Sequence, residues 1–301
     1  LPQDRPARSS AYPVLLAGVL AVSCASIFVR LAQAEGAPSL SIAAGRLSLA
    51  ALILTPLALK RAGREIGSLN RRQVLAALTA GACLAVHFAA WITSLAFTSV
   101  ASSAALVTTI PLWVGLASWL ILKEKQGPGV WLGLGLTVLG SLLIGLSDRG
   151  GPASRPLLGD GLALAGALAF CGYALIGRGL RARLSTLAYV WLAYGSAALV
   201  LLAWLFLSGG GFACLTGPAW LCILALAVIP QLIGHTSLNW ALRHLSATFV
   251  TVALLGEPIG AAILAFVIFG EGLAPLQAVG FGALLGGIYL AGRGEAREIK
   301  S

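Results

Sequence analysis

Ten apolar runs, each close to the length that crosses a lipid bilayer, follow one another along this chain with almost nothing between them. They fall at roughly 11–32, 38–59, 73–95, 99–122, 128–147, 159–178, 186–208, 217–241, 247–269 and 273–292. A membrane helix needs about 20 largely apolar residues, so the pattern predicts ten transmembrane helices. The longest connection, Lys60–Arg72, is too short for a soluble domain. Composition closes the other routes. Hydrophobic residues make up 58% of the chain and charged residues 10%, against about 25% charged in a soluble domain. A soluble fold built this way would lack the polar groups to cover its outside. The runs are apolar all round, without the two-residue alternation of a transmembrane barrel. Run 11–32 is longer than the ~7–15 apolar residues of a signal peptide and is expected to be a span. The expected fold class is an all-α polytopic membrane protein.

Lys and Arg set the expected orientation, because cytoplasmic connections carry the excess of positive charge. Sixteen of the 20 Lys and Arg lie on the side of the N-terminus, in clusters such as Lys60, Arg61, Arg64, Arg71 and Arg72. The other side has Arg30, Arg149 and Arg155, and Arg46 lies inside a span. Both termini are therefore expected in the cytoplasm, with the chain in the inner (plasma) membrane. This distribution also accounts for the net charge of +10 without a nucleic-acid partner, since such residues sit beside anionic lipid. The expected partners are the bilayer and a small-molecule substrate. The five cysteines form no C-x-x-C pair and read as small hydrophobes. No metal site and no cofactor are expected.

Shifted by 147–148 residues, the sequence matches itself. Leu16, Ala17, Gly18 and Arg30 meet Leu164, Ala165, Gly166 and Arg178, while Pro111, Glu124, Pro128, Gly133 and Gly140 meet Pro258, Glu271, Pro275, Gly280 and Gly287. The expected units are 11–147 and 159–292, with five spans each. Five is odd, so the second unit enters the membrane from the opposite side. Inverted repeats of this kind point to secondary transporters, with the substrate held near the midplane between the halves.

Each half ends with a Pro in a helix, a Glu thirteen residues later and a Gly-spaced final helix; the second half reads Glu257-Pro258, Gly270-Glu271, Gly280 and Gly287. This resembles the EamA-type units of the drug/metabolite transporter superfamily, and within it most nearly the bacterial aromatic amino-acid exporters. The first half departs from the pattern with Ile110-Pro111. The resemblance implies a ten-helix bundle around a central cavity, with the fifth and tenth helices outside as braces. Gly282 and Gly286 fit such a brace, because small residues four apart let helix backbones approach in lipid.

Polar and aromatic side chains inside the hydrocarbon are the candidate site residues. His87 and Trp91 are four apart on the third run; Gln231, His235 and Asn239 form a stripe on the eighth. His87 and His235 are related by the repeat. Phe170 and Tyr173 share a face of the sixth run, and Trp113 follows Pro111, where a kink opens space. These eight are the expected substrate-binding residues, aromatic faces for a ring and polar groups for charged ends. Glu257, in the middle of the ninth run, and Arg46 are candidates for coupling or for a structural pair with each other. A histidine held by a neighbouring helix is the plainer alternative for His87. Glu124 and Glu271 stand at helix ends and are expected to be structural.

The expected function is a secondary transporter exporting small amphipathic metabolites, aromatic or other apolar amino acids, by alternating access. Alternatives are a lipophilic-drug efflux carrier and an intramembrane enzyme, although no H-E-x-x-H, no G-x-S-x-G and no mid-span aspartate is present. A P-loop is absent as well. The orientation is directly testable. A single cysteine at Gly151 is expected to react with an impermeant thiol reagent in intact cells, and one at Ser68 is not. The reverse labelling would invert the topology.

Overall fold

The computed structural model describes residues 5–123, 127–147, 154–181, 183–241, 244–245, 250 and 253–298. Glu124 and Gly151 lie outside the described residues. Among them, seven helices are long and apolar enough to cross a membrane: Ala11–Ala34, Ser39–Gly67, Arg71–Ser94, Val100–Ala117, Pro156–Gly177, Thr186–Leu207 and Gly217–Ala241. Pro128–Ile144, Gly256–Phe269 and Pro275–Leu290 are shorter and equally apolar. The fold is an all-α polytopic bundle.

The first span consists of α1 (Arg5–Ser23) and α2 (Ala25–Ala34), which meet at Cys24. Ser23 Oγ and Cys24 Sγ donate to the carbonyls of Val19 and Leu20, one turn back, a local bond that bends helices. The second span, α3 (Ser39–Gly67), runs eight residues past the end of its apolar run. Most of the expected Lys60–Arg72 connection is therefore helix. Hydropathy stops where the bilayer stops, whereas backbone hydrogen bonds continue until a cap intervenes. That cap is Ser68, whose amide closes on the last carbonyls of α3, and Asn70 with Gln73 then makes a reciprocal capping box at the start of α4 (Arg71–Ser94).

The fourth span is α5 (Val100–Val107) and α6 (Ile110–Leu122), broken at Thr108–Thr109 just before Pro111. Proline removes a donor and crowds the preceding turn, and both threonine hydroxyls take up carbonyls there. α7 (Pro128–Ser147), α8 (Pro156–Arg181) and α9 (Thr186–Leu207) follow. Glu65, near the end of α3, accepts from both the amide and the hydroxyl of Ser185, the cap of α9. The eighth span starts as α10 (Gly217–Leu226), widens into a π-helix over Ala227–His235 around Pro230, and ends as α11 (Thr236–Ala241). α12 (Gly256–Phe269) and α13 (Pro275–Glu298) complete the bundle.

α4 packs on α8 and α9, α3 on α9, and α5 on α8 and α12. α1 packs on the π segment, α11 and α12, and α2 on α10. At the end away from the termini, Arg30 forms an ion pair with Glu271 at 2.5 Å. The other Glu271 oxygen accepts the amide of Val100, 2.9 Å away. Gln277 donates to Ser99 Oγ and Ser102 Oγ at 3.1 and 2.8 Å. Glu271 is thus structural, tying the ends of three spans together.

α7 and α13 pack tightly on each other, and glycine makes this possible at positions other than the expected pair. A Cβ on Gly140 would fall 2.5 Å from the Gly280 carbonyl oxygen, and one on Gly287 2.6 Å from that of Gly133. Gly282 and Gly286 have no atom within 4 Å of such a Cβ among the described residues. The contact uses residues seven apart on one face, and Gly282 is turned away from it. Gly140→Val is accordingly expected to lower stability by about 1–3 kcal/mol, read as a fall in the thermal unfolding midpoint of purified protein. Gly282→Val is expected to leave the midpoint unchanged.

Candidate functional site

The helix breaks surround a cavity of about 350 Å³, within the range that holds a small molecule. Its walls come from the middle of α4, the α5–α6 break, α8, the π segment, α11 and the start of α12. Of the expected residues, His87, Trp91, Phe170, Tyr173, Gln231, His235, Asn239 and Glu257 all line it.

Four rings form a connected aromatic wall. His87 lies parallel to Trp91 at 6.3 Å between centroids, edge-on to Phe170 at 4.9 Å, and Phe170 stands edge-on to Tyr173 at 5.0 Å. Offset and edge-on geometries are the favoured ones for aromatic pairs. His87 also has the plainer role: its Nδ1 donates to the Gly166 carbonyl at 2.9 Å. It is both a bolt between α4 and α8 and part of the wall. Gly166 permits this approach, since a Cβ there would lie 3.3 Å from the His87 carbonyl oxygen.

The polar stripe of the eighth span depends on the π-helix. Pro230 has no amide hydrogen and its ring displaces the carbonyl of the preceding turn, so the helix widens locally. Thr236 Oγ1 returns a bond to the Gln231 carbonyl, five residues back, and Asn239 Nδ2 donates to the His235 carbonyl. Gln231, His235 and Asn239 all face the cavity, but Gln231 is engaged already. Its Oε1 accepts from Arg46 Nε at 2.8 Å.

Arg46 is fully buried, and its guanidinium carbon stands 4.3 Å from the Phe88 ring centroid and 5.9 Å from that of Trp91. No ion pair joins it to Glu257 among the described residues, where Arg30–Glu271 is the one such pair. The structural pairing of Arg46 with Glu257 is thus not formed, although the two are near enough to interact electrostatically. Glu257 also differs from its expected place. The ninth span turns at Leu255, so Glu257 sits in the first turn of α12, where the helix dipole favours negative charge.

Trp113 is not in this cavity. It donates to Thr109 Oγ1 and lines a separate groove with Leu134, Thr137, Val138 and Leu142. Val138 and Leu142 are exposed on the outer face of the bundle, so that groove opens toward hydrocarbon. The reason is helix geometry: two residues beyond Pro111 is about 200° round the axis, while Val107, Ile110, Pro111 and Val114 share the cavity face. Phe88 and Tyr194 line the cavity without having been expected to. Phe88 follows His87 and stands edge-on to His235 at 5.9 Å; the seventh run carries hydroxyls at Tyr189, Tyr194 and Ser196, and a hydroxyl inside the hydrocarbon was the available signal for Tyr194.

Two stretches of the chain, residues 9–146 and 157–293, each match the EamA-like transporter family. The chain belongs to the EamA-like transporter family. Its general function is therefore small-molecule transport and not catalysis. It is 23% identical over 228 residues to the uncharacterized transporter sll1319 of Synechocystis sp., a match spanning 72% of this chain and 67% of that protein. A solved crystal structure at 18% identity superimposes with a TM-score of 0.65, covering 98% of this chain and 100% of the other. That likeness shows a shared fold.

His87→Ala is expected to cost about 0.5–1.5 kcal/mol of stability by removing the added hydrogen bond to the Gly166 carbonyl, seen in thermal unfolding, and also to weaken ligand binding. Trp113→Ala is expected to leave ligand affinity unchanged in the same binding assay.

Proposed function

We propose that this EamA-family chain is a secondary transporter that exports small amphipathic metabolites, aromatic and other apolar amino acids foremost, by alternating access. The two units are 11–147 and 159–292, inverted relative to each other, with both termini in the cytoplasm. The observation that carries the reading is the shared cavity, to which both units contribute and in which the repeat-related His87 and His235 both face the lumen.

Packing supports the inverted arrangement. Exchanging the two units by the sequence offset turns the α4–α8 contact into that of the eighth span with α1, and the α6–α8 contact into α12 with α1; both members of each pair are present. The α7–α13 crossing behaves likewise, because Gly140 against Gly280 becomes Gly287 against Gly133. Two units of one sequence pattern can exchange conformations, which moves the closed end from one side of the membrane to the other. The end away from the termini is tied by Arg30, Glu271, Ser99, Ser102 and Gln277. The cavity extends from the midplane toward the termini, through His235, Asn239, Val250, Glu257 and Ile288.

An apolar, aromatic wall with few polar groups suits a substrate with a ring or branched chain and one charged end. Counterflow in proteoliposomes tests this. Saturable exchange of L-phenylalanine and L-leucine is expected, with Trp131→Ala unchanged in apparent KM, since Trp131 packs on Trp119 at the bundle surface. Saturable exchange of tetraphenylphosphonium alone would replace this reading with drug efflux. Exchange of neither would reject it.

A further inference from the structure

Arg46 is the one charged side chain buried completely among the described residues. Its Nε bonds to Gln231, but neither Nη1 nor Nη2 has a hydrogen-bond partner among the described residues. Four of the five N–H groups of a guanidinium are therefore unmet inside the bilayer. Such a group is expensive to keep, and a merely structural role would be served by satisfying it. A second unmet donor lies in the same cluster: the indole Nε1 of Trp91 is buried and without a partner among the described residues, and the Trp91 ring is within cation–π distance of the guanidinium. The three residues that Arg46 touches through its head group, Phe88, Trp91 and Gln231, all line the cavity. The head group stands one side-chain layer behind the wall.

Three donor atoms, two of them on a positively charged group, lack an acceptor among the described residues. The chemistry that completes them is a carboxylate, which a guanidinium fork holds with two parallel bonds. Glu257, the acid on the cavity wall, is not paired with Arg46, so the gap between them suits a molecule carrying opposite charges at one end. Phe170 and Tyr173 then face its apolar remainder.

We propose that the Nη edge of Arg46, with the indole N–H of Trp91, is the carboxylate subsite of the central cavity, and that the ligand class is carboxylates with an aromatic or branched apolar body. This rests on the transport reading for the ligand's passage but not for its binding. A lipophilic cation is disfavoured at such a site by repulsion from Arg46. Access takes a rotation of Gln231 or Phe88 about side-chain bonds, which exchanges the Gln231 carbonyl for a carboxylate oxygen.

The test is thermal stabilisation of the purified full chain in detergent by benzoate, benzylamine or L-phenylalanine, against chloride at equal ionic strength. Benzoate and phenylalanine are expected to stabilise the wild type saturably, and benzylamine is not. In Arg46→Gln the benzoate affinity is expected to fall roughly 10–100-fold, the span of charge-assisted bonds, with Arg46→Lys intermediate. Where Arg46→Gln does not fold, Trp91→Phe keeps the ring, removes the donor and is expected to bind benzoate about threefold to tenfold more weakly. No stabilisation of the wild type by carboxylates, equal stabilisation by benzylamine, or unchanged benzoate affinity in the folded variants overturns the subsite. Benzoate binding that needs Arg46, with no phenylalanine or leucine counterflow, keeps the subsite and overturns the proposed transport of amino acids.

Discussion

Hydrocarbon offers no hydrogen bonds to a backbone, so every amide and carbonyl within the bilayer must find its partner inside the protein. That constraint makes helices the default here, and it makes any interruption of a helix costly. Four spans are nevertheless interrupted: at Cys24, at Thr108–Thr109, through the π segment at Pro230, and at Leu255. Each break borders the cavity or packs beside it. Each is also repaired locally, by Ser23 and Cys24, by Thr108 and Thr109, by Thr236, and by a new helix start before Pro258. The cavity is the space left where continuous helices would have filled the centre.

The same constraint explains the traffic of polar side chains. His87 is held to Gly166, Gln231 to Arg46, and Asn239 to the backbone of its own helix. These bonds orient rings and amides within the protein. The Arg46 head group departs from the rule among the described residues, as does the neighbouring indole Nε1 of Trp91. Burying an isolated charge costs several kcal/mol even after relaxation, a cost that the surrounding aromatic faces of Phe88 and Trp91 offset only in part.

The end away from the termini is held by residues that reach across between spans. Glu271 joins Arg30 of the first span to the start of α5, and Gln277 adds two serines of that helix. The repeat-related acid, Glu124, stands at the other end of the chain's pattern and lies outside the described residues. α7 and α13 meet through glycine faces at the bundle's side, so the contact between the final spans of the two units is made by backbones more than by side chains.

Much of this was legible in the residues alone. Spacing of apolar runs predicted an all-α bundle of membrane-length helices, because bilayer thickness sets the run length, and seven such helices with three shorter apolar ones are present among the described residues. The offset of 147–148 pointed to two units, and i to i+4 spacing placed His87 with Trp91 and Gln231 with His235 and Asn239 on shared faces. What the residues did not disclose is rotation and neighbourhood. Trp113 faces away from the cavity because α6 is turned by its contacts with α8 and α7, and Gly280 with Gly287, instead of Gly282 with Gly286, faces α7. The separation of Arg46 from Glu257, and its bond to Gln231 185 residues away, belong to the tertiary structure for the same reason. In a chain apolar on every side, hydropathy carries no signal for which face turns inward; only packing between helices decides it.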